Sequence, residues 1–103
     1  RVRERYPTMV TFVSAAQSYD SVMLVAAAIK QAGTTDGAKV AAVLESGMSD
    51  VQGIIKNYKK PFSKTDHEGL GVEDFQLGKW KDGKVTNYSD AITKSITSAD
   101  LKR

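Results

Sequence analysis

At 103 residues, with 41% hydrophobic and 26% charged side chains, the chain is long enough for one modest core and too apolar to be wholly disordered. Fifteen Lys and Arg are interleaved with twelve Asp and Glu, so the net charge of +3 gives a weakly cationic surface and argues against a nucleic-acid footprint. Cysteine is absent, which removes disulfide and thiolate chemistry, and the longest apolar run, Val22 to Ile29, is far short of the ~20 residues of a membrane span.

The sequence opens on RVRERYP, with no initiator Met and no apolar leader, which predicts a piece cut from a longer polypeptide. Arg1 to Tyr6 reads as the tail of a helix stopped by Pro7, which lacks an N–H and disfavours helix in the residue before it. Met9 to Val13 (MVTFV) is short and β-branched, so a strand or extended crossover is expected there.

The main helix is expected over about residues 15–32, capped by Ser14 or by Gln17–Ser18. Tyr19, Val22, Met23, Ala26 and Ile29 form its apolar stripe at helical spacing, and Leu24, Val25, Ala27 and Ala28 carry that stripe well around the cylinder. A helix so broadly apolar expects cover on more than one side, which predicts self-association of the chain. Gly33 supplies the left-handed stop. Thr34, Thr35 and Asp36 then offer oxygens to cap a second helix, residues 38–45, that buries Val40, Val43 and Leu44.

Met48 to Lys60 is a connector with room for a strand around Val51 and Ile54–Ile55, and Gly53 marks a tight point in it. The polar stretch KTDHEGLG follows, rich in turn formers. A β-hairpin is expected over about residues 74–88. Asp82–Gly83 forms its type I′ turn, so Lys81 opposes Lys84 and Trp80 opposes Val85. Alternation puts Phe75, Leu77 and Lys79 on one face and Trp80 on the other, and a bulge is expected near Gly78. The residues after Ser89 are expected to form one loose helical turn or to trail off.

None of the familiar catalytic constellations is complete. His67 lies between Asp66 and Glu68, but adjacent loop residues rarely converge on one ion, and no second His or Cys completes a zinc set. There is no Gly-x-Ser-x-Gly elbow and no Gly-rich phosphate cradle. Trp80 and Tyr88 read as hairpin packing residues. No enzyme activity, cofactor or metal is expected.

Several segments together resemble one family, in order along nearly the whole chain. They are Ala15-Ala16-Gln17-Ser18-Tyr19-Asp20 opening the apolar helix, the Gly-Thr-Thr-Asp-Gly joint, Lys60-Pro61-Phe62 before Asp66-His67-Glu68, and Lys79-Trp80-Lys81-Asp82-Gly83-Lys84-Val85. The run is similar to the late part of solute-binding proteins of ABC importers, specifically the branched-chain amino acid type. Ser21 stands where the family usually has Ala, and the Asp66–Glu68 loop departs from the commoner Asp-Gly-Asp form, which leaves aromatic acids, amides and other small solutes open.

The resemblance implies an α+β fragment of a two-lobed α/β type I periplasmic binding fold, with two main helices followed by a β-hairpin. Residues 1–103 would be a single C-terminal segment, located in the periplasm or otherwise outside the cytoplasm. Its partners would be a small solute, an amino acid or small organic acid, and an ABC permease. By position, the loop before the main helix would face the ligand, which points to Ser14, Ala15 and Gln17. Two other functions fit the same residues: a ligand-sensing domain of a receptor or amide-type regulator with this fold, and a small stand-alone interaction module.

Overall fold

Gly33 ends the main helix as the sequence predicts: its φ is 67° and its N–H donates to the Ile29 carbonyl at 2.9 Å. Asp36 starts the next helix, its Oδ1 accepting the Lys39 N–H at 3.0 Å while its own N–H donates to Thr34 Oγ1 at 3.2 Å. In this computed structural model, which describes residues 1–97 and 100, the elements follow in the order α1 (Val2–Arg5), α2 (Val13–Ala32), α3 (Gly37–Ser46), β1 (Val51–Gln52), β2 (Asn57–Tyr58), β3 (Leu77–Lys81), β4 (Lys84–Tyr88) and α4 (Ala91–Ser95). A 3₁₀ turn, Val72–Asp74, precedes β3. The result is an α+β arrangement with two separate antiparallel pairs, β1 with β2 and β3 with β4.

The chain divides into two compact units, Arg1–His67 and the residues from Glu68 onward. In the first, α2 packs on α3 and on β1. Its core is Leu24, Ala28, Met48, Val51 and Tyr58, joined by one buried charged residue, Asp20. The tight connector resolves into a small hairpin: Val51 pairs with Tyr58, Gln52 pairs with Asn57, and the Gly53 N–H closes the turn on the Lys56 carbonyl at 2.9 Å.

Three expectations change in this unit. Met9 to Val13 forms no strand, because Val13 is already the first residue of α2. Ser14 is therefore inside the first turn, and the cap position falls to Phe12, whose side chain cannot accept a hydrogen bond. The buried stripe of α2 is Asp20, Leu24 and Ala28, one residue out of phase with the expected one. Both α3 and β1 lie against that i, i+4, i+8 face, so Tyr19, Val22, Met23 and Val25 remain exposed.

In the second unit the β3–β4 register is the expected one, with Trp80 opposite Val85 and Lys81 opposite Lys84. Asp82 and Gly83 both have positive φ, 50° and 73°, as a type I′ turn requires. The expected bulge at Gly78 is absent, since pairing runs without interruption from Leu77–Tyr88 to the turn. Glycine is there for another reason: a Cβ at 78 would lie 2.7 Å from Val85 Cγ1 across the ladder. The strand also starts later than residue 74, because Val72–Asp74 coils into the 3₁₀ turn. After Ser89, Asp90 caps α4 in a reciprocal box with Thr93, so that stretch makes a defined turn of helix. The last part of the expected tail, residues 98, 99 and 101–103, lies outside the described residues.

Candidate functional site

The residues singled out by the sequence, Ser14, Ala15 and Gln17, sit together on the first two turns of α2. Ser14 and Gln17 are exposed and Ala15 is half-buried. With Phe12 at the cap position, no side chain caps the helix by the usual bond to its second or third N–H. Val13 N–H has only a long contact, 3.4 Å, to Thr11 Oγ1, and the Ala16 N–H returns to the Phe12 carbonyl at 3.0 Å. The amides of Ser14 and Ala15 are thus left for solvent or a ligand. The Arg3 guanidinium lies 5.1 Å from the centre of the Phe12 ring, adding positive charge beside the cap residue. A 20-residue helix presents its positive dipole end here. Chemically, this end of α2 suits a carboxylate.

One turn further on lies a cluster that the sequence reading did not single out. Asp20 is 1% exposed and accepts three hydrogen bonds: Ile54 N–H to Oδ1 at 2.6 Å, Ile55 N–H to Oδ2 at 2.9 Å, and the Tyr58 hydroxyl to Oδ2 at 3.0 Å. All three donors belong to the β1–β2 hairpin, so a single carboxylate clamps the hairpin turn to the helix. Burial works to raise the Asp20 pKa. The bonds from Ile54, Ile55 and Tyr58 outweigh it and hold the carboxyl below its ordinary value. Gly53 makes the approach possible, because a Cβ there would sit 2.5 Å from Asp20 Oδ2 and 2.7 Å from the Tyr58 ring. The spacing in the sequence puts Asp20 on one helix face with Leu24 and Ala28, but that spacing alone does not mark the face as the buried one.

His67 Nε2 lies 3.3 Å from Glu45 Oε1, pairing the loop with the end of α3. Its sequence neighbours do not join it at an ion: among the described residues no group of three or more His, Cys, Asp or Glu could hold a metal. No described helix is long and apolar enough to cross a membrane.

Residues 1–84 match the family model described as periplasmic binding protein. The matched stretch contains the first turns of α2, the Asp20 clamp, α3, the β1–β2 hairpin and β3. No curated protein and no solved structure matches the chain.

Proposed function

Because the chain belongs to the periplasmic binding protein family, whose members bind solutes outside the cytoplasm, we propose that it is the C-terminal segment of the substrate-binding component of an ABC importer. The solute is a branched-chain amino acid or a related small organic acid, handed on to an ABC permease. The observation that carries this reading is the family match over residues 1–84. The ordered likeness of the Tyr19–Asp20 helix opening, the Gly33–Gly37 joint and the Lys79–Val85 hairpin to the branched-chain type supports the narrower solute class.

Within the chain, the ligand contact is Ser14, Ala15 and Gln17. The two uncapped amides at the positive end of α2 meet the solute carboxylate, and Gln17 offers both a donor and an acceptor from the next turn. Tyr19, Val22 and Val25 remain as an exposed apolar side of the same helix. That side favours self-association of the chain, measurable as a concentration-dependent mass by sedimentation.

The test is a titration of the ¹⁵N-labelled chain with leucine, isoleucine, valine, an aromatic acid and the corresponding amides. Saturable shifts at the amides of Ser14, Ala15 and Gln17, stronger for acids than for amides, are the expected result. Ser14→Pro removes one of the two N–H groups at a helix position that tolerates proline, and it should weaken binding while the helix persists. Absence of any saturable response at residues 14–17 across the panel would remove the assignment.

A further inference from the structure

A hollow of about 580 Å³ opens in the unit that begins at Glu68. Small-molecule sites typically enclose about 300–1,000 Å³. Three short elements wall it. The 3₁₀ turn and the residues that follow contribute Val72 and Phe75, the open end of the β3–β4 hairpin contributes the cross-strand pair Leu77 and Tyr88, and the end of α4 contributes Lys94 and Ile96.

Each wall is fixed by short-range bonds. Asp74 Oδ2 accepts the Gly71 N–H at 2.8 Å and closes the 3₁₀ turn. Asp90 Oδ1 accepts the Thr93 N–H at 2.8 Å, and the Asp90 N–H donates back to Thr93 Oγ1 at 3.2 Å. The Leu77–Tyr88 pair holds the open end of the hairpin in register. A hollow with locally locked walls loses less on binding than one that must form around its ligand.

Its chemistry selects the occupant. Phe75 is 68% exposed and Leu77 52%, and no described side chain of this unit is buried, so the apolar lining is open to cover by a ligand. Two charged residues line it. Glu73 already has a partner. Lys94 makes no ion pair among the described residues and is therefore the charge left to recognise a ligand. The amides of Gln76 and Asn87 add neutral donors and acceptors at the rim.

We propose that this hollow is a second binding site, for a small carboxylate with an apolar body. The carboxylate lies on the Lys94 ammonium, and the hydrocarbon covers Phe75, Leu77 and Ile96. The site is separate from Ser14–Gln17 and does not depend on that assignment.

The test compares 4-methylpentanoate with its uncharged amide, 4-methylpentanamide, by chemical-shift titration of the ¹⁵N-labelled 103-residue chain. The acid should give saturable shifts in residues 72–96, with the amide roughly two- to fivefold weaker for want of the exposed ion pair. Lys94→Gln should bring the acid down to the affinity of the amide and leave the amide unchanged. Leu77→Ser should weaken both. The Lys94→Gln spectrum without ligand, unchanged in the hairpin, separates lost binding from lost folding. Equal affinity for acid and amide, or no saturable shift in residues 72–96, overturns the proposal. Shifts confined to residues 14–17 overturn it while supporting the α2 site, and saturable shifts confined to residues 72–96 support it independently of the α2 site.

Discussion

Replacing Asp20 by alanine tests whether the β1–β2 hairpin is held to α2 by that one carboxylate. The substitution strands three donors: the N–H groups of Ile54 and Ile55 and the hydroxyl of Tyr58. A buried donor left without a partner costs about 1–3 kcal/mol. Ile54 is 63% exposed, so water can reach its amide, whereas Ile55 is half-buried and Tyr58 only 3% exposed. Two donors therefore dominate, and the loss comes to about 3 kcal/mol after allowing for relief of the buried charge. For a domain of this size each kcal/mol moves the melting temperature by about 4–8 °C, so the expected drop is about 12–24 °C.

Thermal unfolding followed by circular dichroism at neutral pH measures that drop, and a shift below about 4 °C would refute the clamp. Acid gives an independent reading. The Asp20 carboxyl titrates below its ordinary value when folded, so between the folded pKa and about 3.9 the unfolded chain binds more protons. The stabilisation is complete above the unfolded pKa and is lost as pH falls through the folded one. The Asp90 carboxyl is also lowered, first by the Thr93 N–H and then by Tyr88, but the wild type and the variant share it. The difference between their stabilities should therefore shrink on acidification, and a constant difference down to low pH would count against the charge.

Gly53→Ala should cost about 1–3 kcal/mol, because the added carbon meets the Asp20 carboxylate at 2.5 Å. In urea the midpoint should fall at unchanged slope, and adding Gly53→Ala to Asp20→Ala should cost clearly less than the sum of the two. Asp36→Ala removes the side chain that accepts the Lys39 N–H and should cost about 1 kcal/mol, seen as faster amide exchange in the first turn of α3. Gly83→Val forces a β-branched residue to φ 73° and should lose about 1–2 kcal/mol within the β3–β4 hairpin, read as weaker Trp80–Val85 cross-strand contacts with the Asp20 cluster unchanged.

Local chemistry was legible wherever a residue type answers to its own backbone. Gly33 stops a helix because it tolerates a left-handed φ, Asp36 caps because its oxygen reaches Lys39 N–H, and Asp82–Gly83 turns because both sites need positive φ. The failures share a different cause. Gly78 points by composition to a backbone feature, a bulge, whereas its role is to leave room for a side chain on the opposite strand. Met9 to Val13 has strand composition, but the stretch is largely exposed, no described strand pairs with it and α2 begins at Val13, so β propensity has no sheet to act in. The uncapped start of α2 followed from the same error, since moving the boundary by two residues exchanged a serine cap for a phenylalanine.

The phase of α2 is the deepest of these misses, and its physics is specific. Hydrophobic pattern ranks faces by apolar content, and on that measure the Tyr19, Val22, Met23 and Ile29 side should be inward. The structure buries the side that carries a carboxylate instead. Ranking by pattern penalises Asp20 as a cost, yet with three donors facing it the group becomes the fixed point of the packing. Those donors lie 34 to 38 residues downstream, on a turn whose glycine only makes sense once the carboxylate is beside it. Neither half of the clamp is informative alone. If Asp20 orders the hairpin as argued, an Asp20→Leu chain, apolar on both sides of α2, should lose the hairpin turn rather than gain core. Exchange protection lost at Gly53, whose N–H closes the turn on the Lys56 carbonyl, would show it, and protection retained there would return the fold to the simpler hydrophobic account.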